Sequence, residues 1–282
     1  MDFSNMSLEQ FNNQFTTENS CVDYLFSVRW PQGFVCPRCS HRHAYVTSTR
    51  RLPLYECCYC RFQVSLISGT VMEGSRTELR KWMLTFFLLA RQEKGTTAVE
   101  LSKIIQVTYK TAWSILHKIR SMIHISNNQI PLTGSISINS AVYGRPFNPS
   151  VHKHPREHLL LIAASPNHTE ETTTFLKIKH VIPHNPTSRH ITRSEIINFQ
   201  TQHIDSSAQN ISITTGLYTP KRLRPLLSIT KQASQWINTT FHGLGATHLQ
   251  LYLEEFILRF SLFSKNISLF PRLVKLCFSI YP

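Results

Sequence analysis

The chain has 282 residues, of which 41% are hydrophobic, so it is long enough to bury a substantial core and does not belong to the intrinsically disordered class. Its 30 Lys and Arg residues against 16 Asp and Glu residues give a net charge of +14 at pH 7. This balance is typical of proteins that bind polyanions, and it favours nucleic acid over an anionic membrane as the partner. No secretory signal is apparent and no apolar run approaches the roughly 18 residues of a membrane span, so a soluble intracellular protein is expected.

Residues 1–33 are predicted to form an N-terminal helical segment. Ser7-Leu-Glu-Gln10 has the pattern of a capping box, which opens the first helix. The second helix carries an apolar stripe with helical spacing, formed by Cys21, Tyr24, Leu25 and Val28. Both helices are expected to pack against the module that follows them.

Five of the seven cysteines lie between residues 36 and 60. Four of them form two C-x2-C pairs with seventeen residues between the pairs, and these are Cys36, Cys39, Cys57 and Cys60. This is the spacing of a zinc ribbon with a closed tetrahedral site, and ligation by Cys58 would break it. Because a ribbon this short has too little core to fold without metal, we expect a structural zinc ion within residues 34–70.

Downstream of the ribbon, Thr77 is predicted to open an apolar helix with basic ends. Thr97-Ala-Val-Glu100 has the pattern of another capping box, after which Gln106-Val107 turns the chain and Thr108 caps a further helix. Two helices joined by a short turn, the second with a buried stripe and a basic outer side, predict a helix-turn-helix. The alternative is a helical module that binds protein instead of DNA.

In a helix-turn-helix, the first residues of the second helix meet base edges in the major groove. The residues expected to face the bases are Tyr109, Lys110, Thr111 and Ser114. The residues expected to lie nearer the phosphates are His117, Lys118 and Arg120. The predicted partner is therefore double-stranded DNA.

The second half of the chain has a mixed pattern of strands and helices. Ile136 and Ile138 alternate with polar residues, and residues 159–164 and 172–178 are predicted to form two further strands. A helix over residues 194–203 and a strand at Ile211 follow. The predicted order is three strands, a helix, a strand and a helix.

These segments carry a family resemblance. The runs SGTVMEGSRTELRKWMLTFFLL and KGTTAVELSKIIQVTYKTAWSILHKIR resemble the N-terminal half of the Merlin-type insertion-sequence transposases, except that Gln106 stands where many such turns carry glycine. The run from Trp236 to Gly243 and the helix after it are similar to the family's closing segment. The resemblance implies a multidomain α+β fold with an N-terminal helical segment (1–33), a zinc ribbon (34–70), a helical, helix-turn-helix DNA-binding region (71–125) and an α/β RNase H-like domain (126–282).

In that family the RNase H-like domain cuts and joins DNA with two metal ions held by a DDE set of acidic residues. The resemblance maps these positions onto Asn139, Thr215 and Gln232, none of which is a carboxylate. Neutral ligands cannot hold two divalent cations close together, so we expect a degenerate, inactive catalytic domain. The alternative is an active transposase with shifted acidic ligands such as Asp205, in which case Mg²⁺ would be a cofactor.

The sequence thus predicts a transposase-like protein that recognises element-end DNA, with structural zinc as its cofactor and transposon terminal repeats as its partner. Whether it is an enzyme stays open between the two alternatives. No membrane partner is expected, and a homo-oligomer would suit paired element ends. The expected location is the cytoplasm in association with the nucleoid, or the nucleus in a eukaryotic host.

Overall fold

The computed structural model describes residues 6–91, 95–144, 154, 156–166, 174–183, 188, 190–216, 224–263, 265 and 267–278. Two compact units divide the chain. Unit 1 comprises Met1–Arg91, Ala98–Met122 and Ser268–Pro282, and unit 2 comprises Gln92–Thr97 and Ile123–Ile267. The mixed α+β content with helices at the N-terminus confirms the broad fold class that the sequence predicts.

The helices of the described residues are α1 (Leu8–Gln14), α2 (Glu18–Arg29), α3 (Leu79–Ala90), α4 (Ala98–Ile104), α5 (Tyr109–Asn128), α6 (Arg193–His203), α7 (Arg224–Phe241), α8 (Ala246–Phe263) and α9 (Leu269–Phe278). The strands are β1 (Ala44–Thr47), β2 (Leu54–Cys57), β3 (Gln63–Ser65), β4 (Ser135–Tyr143), β5 (His158–Pro166), β6 (Thr174–Val181) and β7 (Asn210–Thr214). Among the described helices, none is both long and apolar enough to cross a bilayer.

Side-chain caps fix where the first helices of unit 1 begin. The predicted capping box of α1 is present, since Ser7 and Gln10 exchange hydrogen bonds of 2.8 and 3.1 Å. Helix α3 begins at Leu79 instead of Thr77 because its cap comes from another helix. The Glu18 carboxylate accepts from the N–H groups of Leu79 and Arg80 at 2.9 and 3.2 Å, which also places negative charge at the positive end of the helix dipole.

Helix α9, which comes last among the described helices, belongs to unit 1. The Phe270 ring of α9 lies 6.2 Å from the Phe11 ring, 6.4 Å from that of Phe15 and 6.1 Å from that of Tyr24. The Val71 N–H also donates to the Cys277 carbonyl at 3.2 Å. The sequence assigns residues 126–282 to one domain, whereas the structure packs α9 on the N-terminal helices because its apolar face completes their aromatic core.

A small three-stranded antiparallel sheet, β1-β2-β3, forms the ribbon. Its inner side is aromatic: the Tyr55 ring lies 5.1 Å from Trp30 and 5.8 Å from Phe34, and Val64 is buried beside it in the register. The outer side carries Glu56, which accepts from Gln63 at 2.8 Å. The ribbon therefore has one packed face and one solvated face.

Unit 2 is built on a four-stranded sheet in the order β6-β5-β4-β7. Strands β4, β5 and β6 are antiparallel neighbours, and β7 runs parallel to β4. Alternation along the strands sends Ile136 and Ile138 to a cluster with Phe199 of α6. It sends Ala141 and Tyr143 to the opposite face, which α7 and α8 cover.

Candidate metal centre and nucleic-acid interface

Two turns of the same shape carry the cysteine pairs. In the first, the Ser40 N–H donates to the Cys36 carbonyl at 2.9 Å, and in the second, the Arg61 N–H donates to the Cys57 carbonyl at 3.1 Å. Ser40 and Arg61 have φ values of 60° and 59°, the left-handed conformation that residues other than glycine adopt at a cost. Each turn thereby folds its two cysteines back towards the other pair.

The four predicted ligands meet at one point. Their Sγ atoms lie within 4.8 Å of one another, and the distances from Cys36 to Cys60 and from Cys39 to Cys57 are both 3.6 Å. A tetrahedral site with Zn–S bonds of about 2.3 Å has S–S edges of about 3.8 Å, whereas a disulfide needs about 2 Å. These cysteines are therefore positioned to hold a structural zinc ion, and Cys58 lies outside the cluster.

Cys39 and Cys57 have very different pKa values because their thiols lie close together. Burial disfavours the Cys57 thiolate, but backbone hydrogen bonds from Cys60 and Tyr59 and the neighbouring thiols lower its pKa to about 7. A backbone hydrogen bond from His41 favours the Cys39 thiolate, yet burial and the other thiols raise its pKa to about 12. A divalent cation removes this competition because it stabilises all the thiolates together.

The predicted DNA-reading helices are α4 and the part of α5 up to Met122, both in unit 1. Helix α4 ends with the Ile105 N–H donating to the Leu101 carbonyl at 2.9 Å, and the Val107 N–H then donates to the Ser102 carbonyl at 3.1 Å. Gln106 has a φ of 52°, the position that glycine fills without strain. The turn is closed by these bonds although its left-handed residue is not glycine.

Helix α5 begins as the sequence predicts. The Thr108 Oγ1 accepts from the Thr111 N–H at 3.2 Å, which satisfies one of the free N–H groups at the helix start. The stripe predicted to be buried is buried, and it comprises Ala112, Ile115, Leu116 and Ile119. The first turn of α5 is thus held by its cap and its apolar side, with its polar side turned outward.

The residues predicted to face DNA bases differ in exposure. Tyr109 is 57% exposed, and Lys110 is also exposed. Thr111 and Ser114 are half-buried at the side of the same surface. Tyr109 and Lys110 are therefore the side chains of this set that solvent and a ligand reach most freely.

The three residues predicted to contact phosphate also differ in exposure. The His117 ring stacks on Trp113 at 4.7 Å, and the Lys118 Nζ donates to the Glu73 carbonyl at 3.4 Å. Arg120 is only 3% exposed, because it follows Leu116 by one helical turn and so continues the buried stripe. The expected phosphate contact of Arg120 does not fit its burial, whereas His117 and Lys118 stay partly accessible.

The positions that the resemblance assigns to catalysis come together only in part. Asn139 is buried in β4 and pairs with Thr214 of the parallel strand β7. The Ser140 hydroxyl donates to the Thr215 carbonyl at 2.8 Å, so Thr215, which directly follows β7, lies beside β4. Gln232 is exposed on α7, away from the side of that helix that packs on the sheet, and its Nε2 lies 3.5 Å from the Ser228 hydroxyl.

Carboxylates in the described part of unit 2 lie away from this point or are bound elsewhere. Asp205 lies between α6 and β7, where its N–H donates to the Leu132 carbonyl and its carboxylate accepts from the Ser207 N–H at 2.9 Å. Glu195 caps α6, and Glu157 accepts from the His154 N–H at 3.2 Å. Glu170 and Glu171 lie outside the described residues. Within the described ranges, the clustered ligand set of His, Cys, Asp or Glu is the cysteine site.

Comparisons with known proteins connect the ribbon to transposition. Residues 16–63 match the model of the transposase zinc-ribbon domain family. An uncharacterized protein in the transposable element ISH50 of Halobacterium salinarum is 32% identical over 100 residues, which cover 35% of this chain and 33% of that protein. The chain thus spans about a third of the length of this relative. No solved structure matches the chain.

A buried ionic cluster in unit 2 is absent from the sequence-based predictions. Glu254 is fully buried and accepts from the Lys179 Nζ and from the Asn127 Nδ2, the latter at 2.8 Å. Burial opposes its ionisation, but hydrogen bonds from His124 and Lys179 and the charge of Lys179 lower its pKa to about 2. Glu254 is therefore a buried structural partner within unit 2.

Two further groups complete this cluster. Burial, followed by the charge of Lys179, lowers the pKa of Lys177 to about 8. Burial and the two lysine charges lower the pKa of His203 to about 4. Glu255, the neighbour of Glu254, pairs with Arg259 at 2.9 Å within α8. The hydrogen bonds of Glu254 with Asn127 and Lys179 join the end of α5 to α8 and β6 within unit 2.

Proposed function

We propose that the protein is a transposase-like DNA-binding protein that recognises duplex DNA at the ends of an insertion sequence. The observation that carries the proposal is the match of residues 16–63 to transposase zinc ribbons, followed in the chain by a helix, turn and helix with exposed Tyr109 and Lys110. The net charge of +14 suits a polyanionic partner.

The helix-turn-helix assignment of α4 and α5 is part of this proposal. The closed turn at Gln106 and the cap at Thr108 support it. So does the exposure of the first turn of α5, since this is the part of a recognition helix that enters the major groove. In this proposal Tyr109, Lys110, Thr111 and Ser114 face the bases, and His117 and Lys118 approach the phosphates.

We also propose that unit 2 is a degenerate RNase H-like domain of the Merlin type. Three antiparallel strands, a helix and a fourth strand parallel to the first occur in the order that this fold requires. Asn139 lies in β4 and Thr215 directly follows the parallel neighbour β7, so both assigned positions lie at the same end of the sheet. Their neutral side chains, and the engagement of the described acids elsewhere, support the loss of two-metal catalysis.

Replacement of Lys110 by alanine is expected to weaken binding of a duplex carrying the repeats that flank this gene. A base contact of this kind contributes about 1–3 kcal/mol, so the dissociation constant should rise roughly 5- to 150-fold. Fluorescence anisotropy of the labelled duplex over a salt series measures it, and wild-type affinity should fall steeply with salt because phosphate contacts release counterions.

The matched control for that experiment is Lys231→Ala, which removes the same charge from an exposed position of α7. Equal weakening by both variants would show that only net charge matters and would contradict a recognition role for α5. Duplex binding that is absent, or insensitive to salt, would favour a protein-interaction module over the proposed function.

Strand cleavage is expected to be undetectable when the protein is incubated with the same duplex and Mg²⁺ or Mn²⁺. The physical reason is that Asn139 and Thr215 cannot balance the charge of two divalent cations. Denaturing electrophoresis of end-labelled strands is the measurement. Metal-dependent cutting that is lost in Asp205→Asn, or in a variant of one glutamate, would instead establish an active transposase with shifted ligands.

A further inference from the structure

The solvated side of the zinc ribbon carries aromatic and basic side chains next to one another. We call His41, His43, Tyr45, Tyr59 and Arg61 the ribbon surface. The His41 ring lies 5.5 Å from that of His43 and 5.8 Å from that of Tyr59. The Arg61 guanidinium lies 5.6 Å from the Tyr45 ring and 3.2 Å from the Glu56 carboxylate. These contacts arrange the rings and the guanidinium along the two cysteine turns.

The two tyrosines of the ribbon surface are exposed to a degree that folding does not require. Tyr59 is 78% exposed and Tyr45 is 59% exposed, whereas the aromatic side chains that stabilise the ribbon, such as Tyr55 and Trp30, are buried on its other side. Tyr45 pairs with Glu56 in the register, on the solvated face. In proteins that bind single-stranded nucleic acid, bases stack on aromatic side chains that are open to solvent in this way.

The charge around these rings is positive and comes from arginine. Residues 34–70 contain five arginines, one glutamate and no lysine. Arg38, Arg42 and Arg61 stand in or beside the two cysteine turns and are exposed. Arginine binds phosphate with two parallel hydrogen bonds and stacks on flat rings, so this composition complements a ligand that presents phosphates and flat bases together.

We propose that the ribbon surface binds single-stranded nucleic acid, with unpaired bases stacked on Tyr59 and Tyr45 and phosphates held by Arg38, Arg42 and Arg61. Stacking on an aromatic side chain requires a free base face, and a duplex covers both faces of its internal bases. Exposed rings beside arginines therefore complement a single strand better than a duplex. A strand of this kind occurs wherever the end of a DNA duplex opens.

This inference extends the proposed function by giving the ribbon a ligand of its own, separate from the duplex that α5 would contact. The two are independent in the chain: the residues proposed to hold the single strand lie within residues 38–61, and the predicted duplex contacts begin at Tyr109. An experiment can therefore contradict the single-strand proposal without contradicting the duplex proposal, and the reverse is also true.

The test is fluorescence anisotropy of the full-length, zinc-loaded protein with a short mixed-sequence oligonucleotide, supplied as single-stranded DNA and as RNA. Tyr59→Ala should raise the dissociation constant roughly tenfold, because one stacked base contributes about 1–3 kcal/mol. Tyr59→Phe keeps the ring and should bind like the wild type. The strand that the wild type binds more tightly, DNA or RNA, identifies the natural source of the ligand.

Two controls make the result specific. Zinc content must be unchanged in the Tyr59 variants, which shows that the ribbon is folded. Lys231→Ala should leave single-strand affinity within about twofold, because Lys231 is not part of the ribbon and one exposed charge contributes little. Equal affinity of Tyr59→Ala and the wild type would overturn the proposal. A tenfold loss in Tyr59→Ala together with absent duplex binding would support it while removing the proposed recognition of duplex ends.

Discussion

Cys57→Ser is expected to abolish zinc binding and to unfold the ribbon. Cys57 is fully buried in β2 and its Sγ lies 3.6 Å from that of Cys39, so serine removes one of the four ligands that form the cluster among the described residues. Structural zinc contributes about 10–16 kcal/mol to the folding of small zinc domains, far more than a short three-stranded sheet gains from its own core. Elemental analysis should fall from about one zinc per chain to a trace.

The neighbouring residue supplies the control for this experiment. Cys58→Ser changes the same atom one residue away, but the Cys58 thiol is outside the ligand cluster, so zinc content and far-ultraviolet circular dichroism should match those of the wild type. A chelator should reproduce the effect of Cys57→Ser on the wild type. A wild-type protein that is fully folded without metal, or a Cys58→Ser variant that loses zinc, would contradict the assignment.

Glu254→Leu is expected to destabilise unit 2 by about 3–5 kcal/mol, the usual cost of removing one partner of a buried ion pair. The Glu254 side chain is wholly inaccessible, and Lys179 is 7% exposed. Without the carboxylate, the Lys179 ammonium would be left buried beside Lys177, whose pKa burial already lowers. Denaturant unfolding followed by circular dichroism gives the free energy of unfolding of each variant.

A second substitution distinguishes loss of charge pairing from loss of packing. Glu254→Leu combined with Lys179→Met removes both charges, and most of the stability should return because an apolar pair of similar volume is often as stable as a buried ion pair. A double variant no more stable than Glu254→Leu would show that packing or the Asn127 contact carries the effect. A single variant within about 1 kcal/mol of the wild type would contradict the ion pair altogether.

The pH dependence of wild-type stability checks the same cluster. Glu254 has a folded pKa of about 2 against an ordinary value of 4.5, so its contribution is complete above 4.5 and is lost as the pH falls towards 2. His203 has a folded pKa of about 4 against 6.5. As the pH falls, His203 therefore takes up a proton in the unfolded chain before it does so in the folded protein. The free energy of unfolding consequently also decreases between pH 6.5 and pH 4. His203→Gln should flatten the upper part of this profile.

Features set by neighbours in sequence could be predicted from the residues alone. The capping box at Ser7 depends on a residue three positions away, and the cysteine pairs depend on their x2 spacing. The buried stripe of α5 follows from its helical period, and the strand that contains Ile136 and Ile138 follows from alternation. In each case a local rule leaves few other conformations for the segment.

Features set by distant parts of the chain could not be predicted in this way. Lys177 and Lys179 alternate with Leu176 and Ile178, a pattern that indicates an exposed polar side of a strand, yet α5 and α8 cover them. Arg120 looks like a basic surface residue until the neighbouring stripe shows that it is buried. Single-sequence patterns describe the period of an element but do not identify the segment that packs against it.

The place of α9 in the core of unit 1 sets the order in which the chain can mature on a ribosome. Phe11, Phe15 and Tyr24 are synthesised well before Phe270, the ring that packs among them. Until then the N-terminal helices have an open aromatic surface of the kind that chaperones bind. A nascent chain, or one truncated before Leu269, would therefore lack a complete unit 1 even though the cysteine ligands and helices α4 and α5 had all been made.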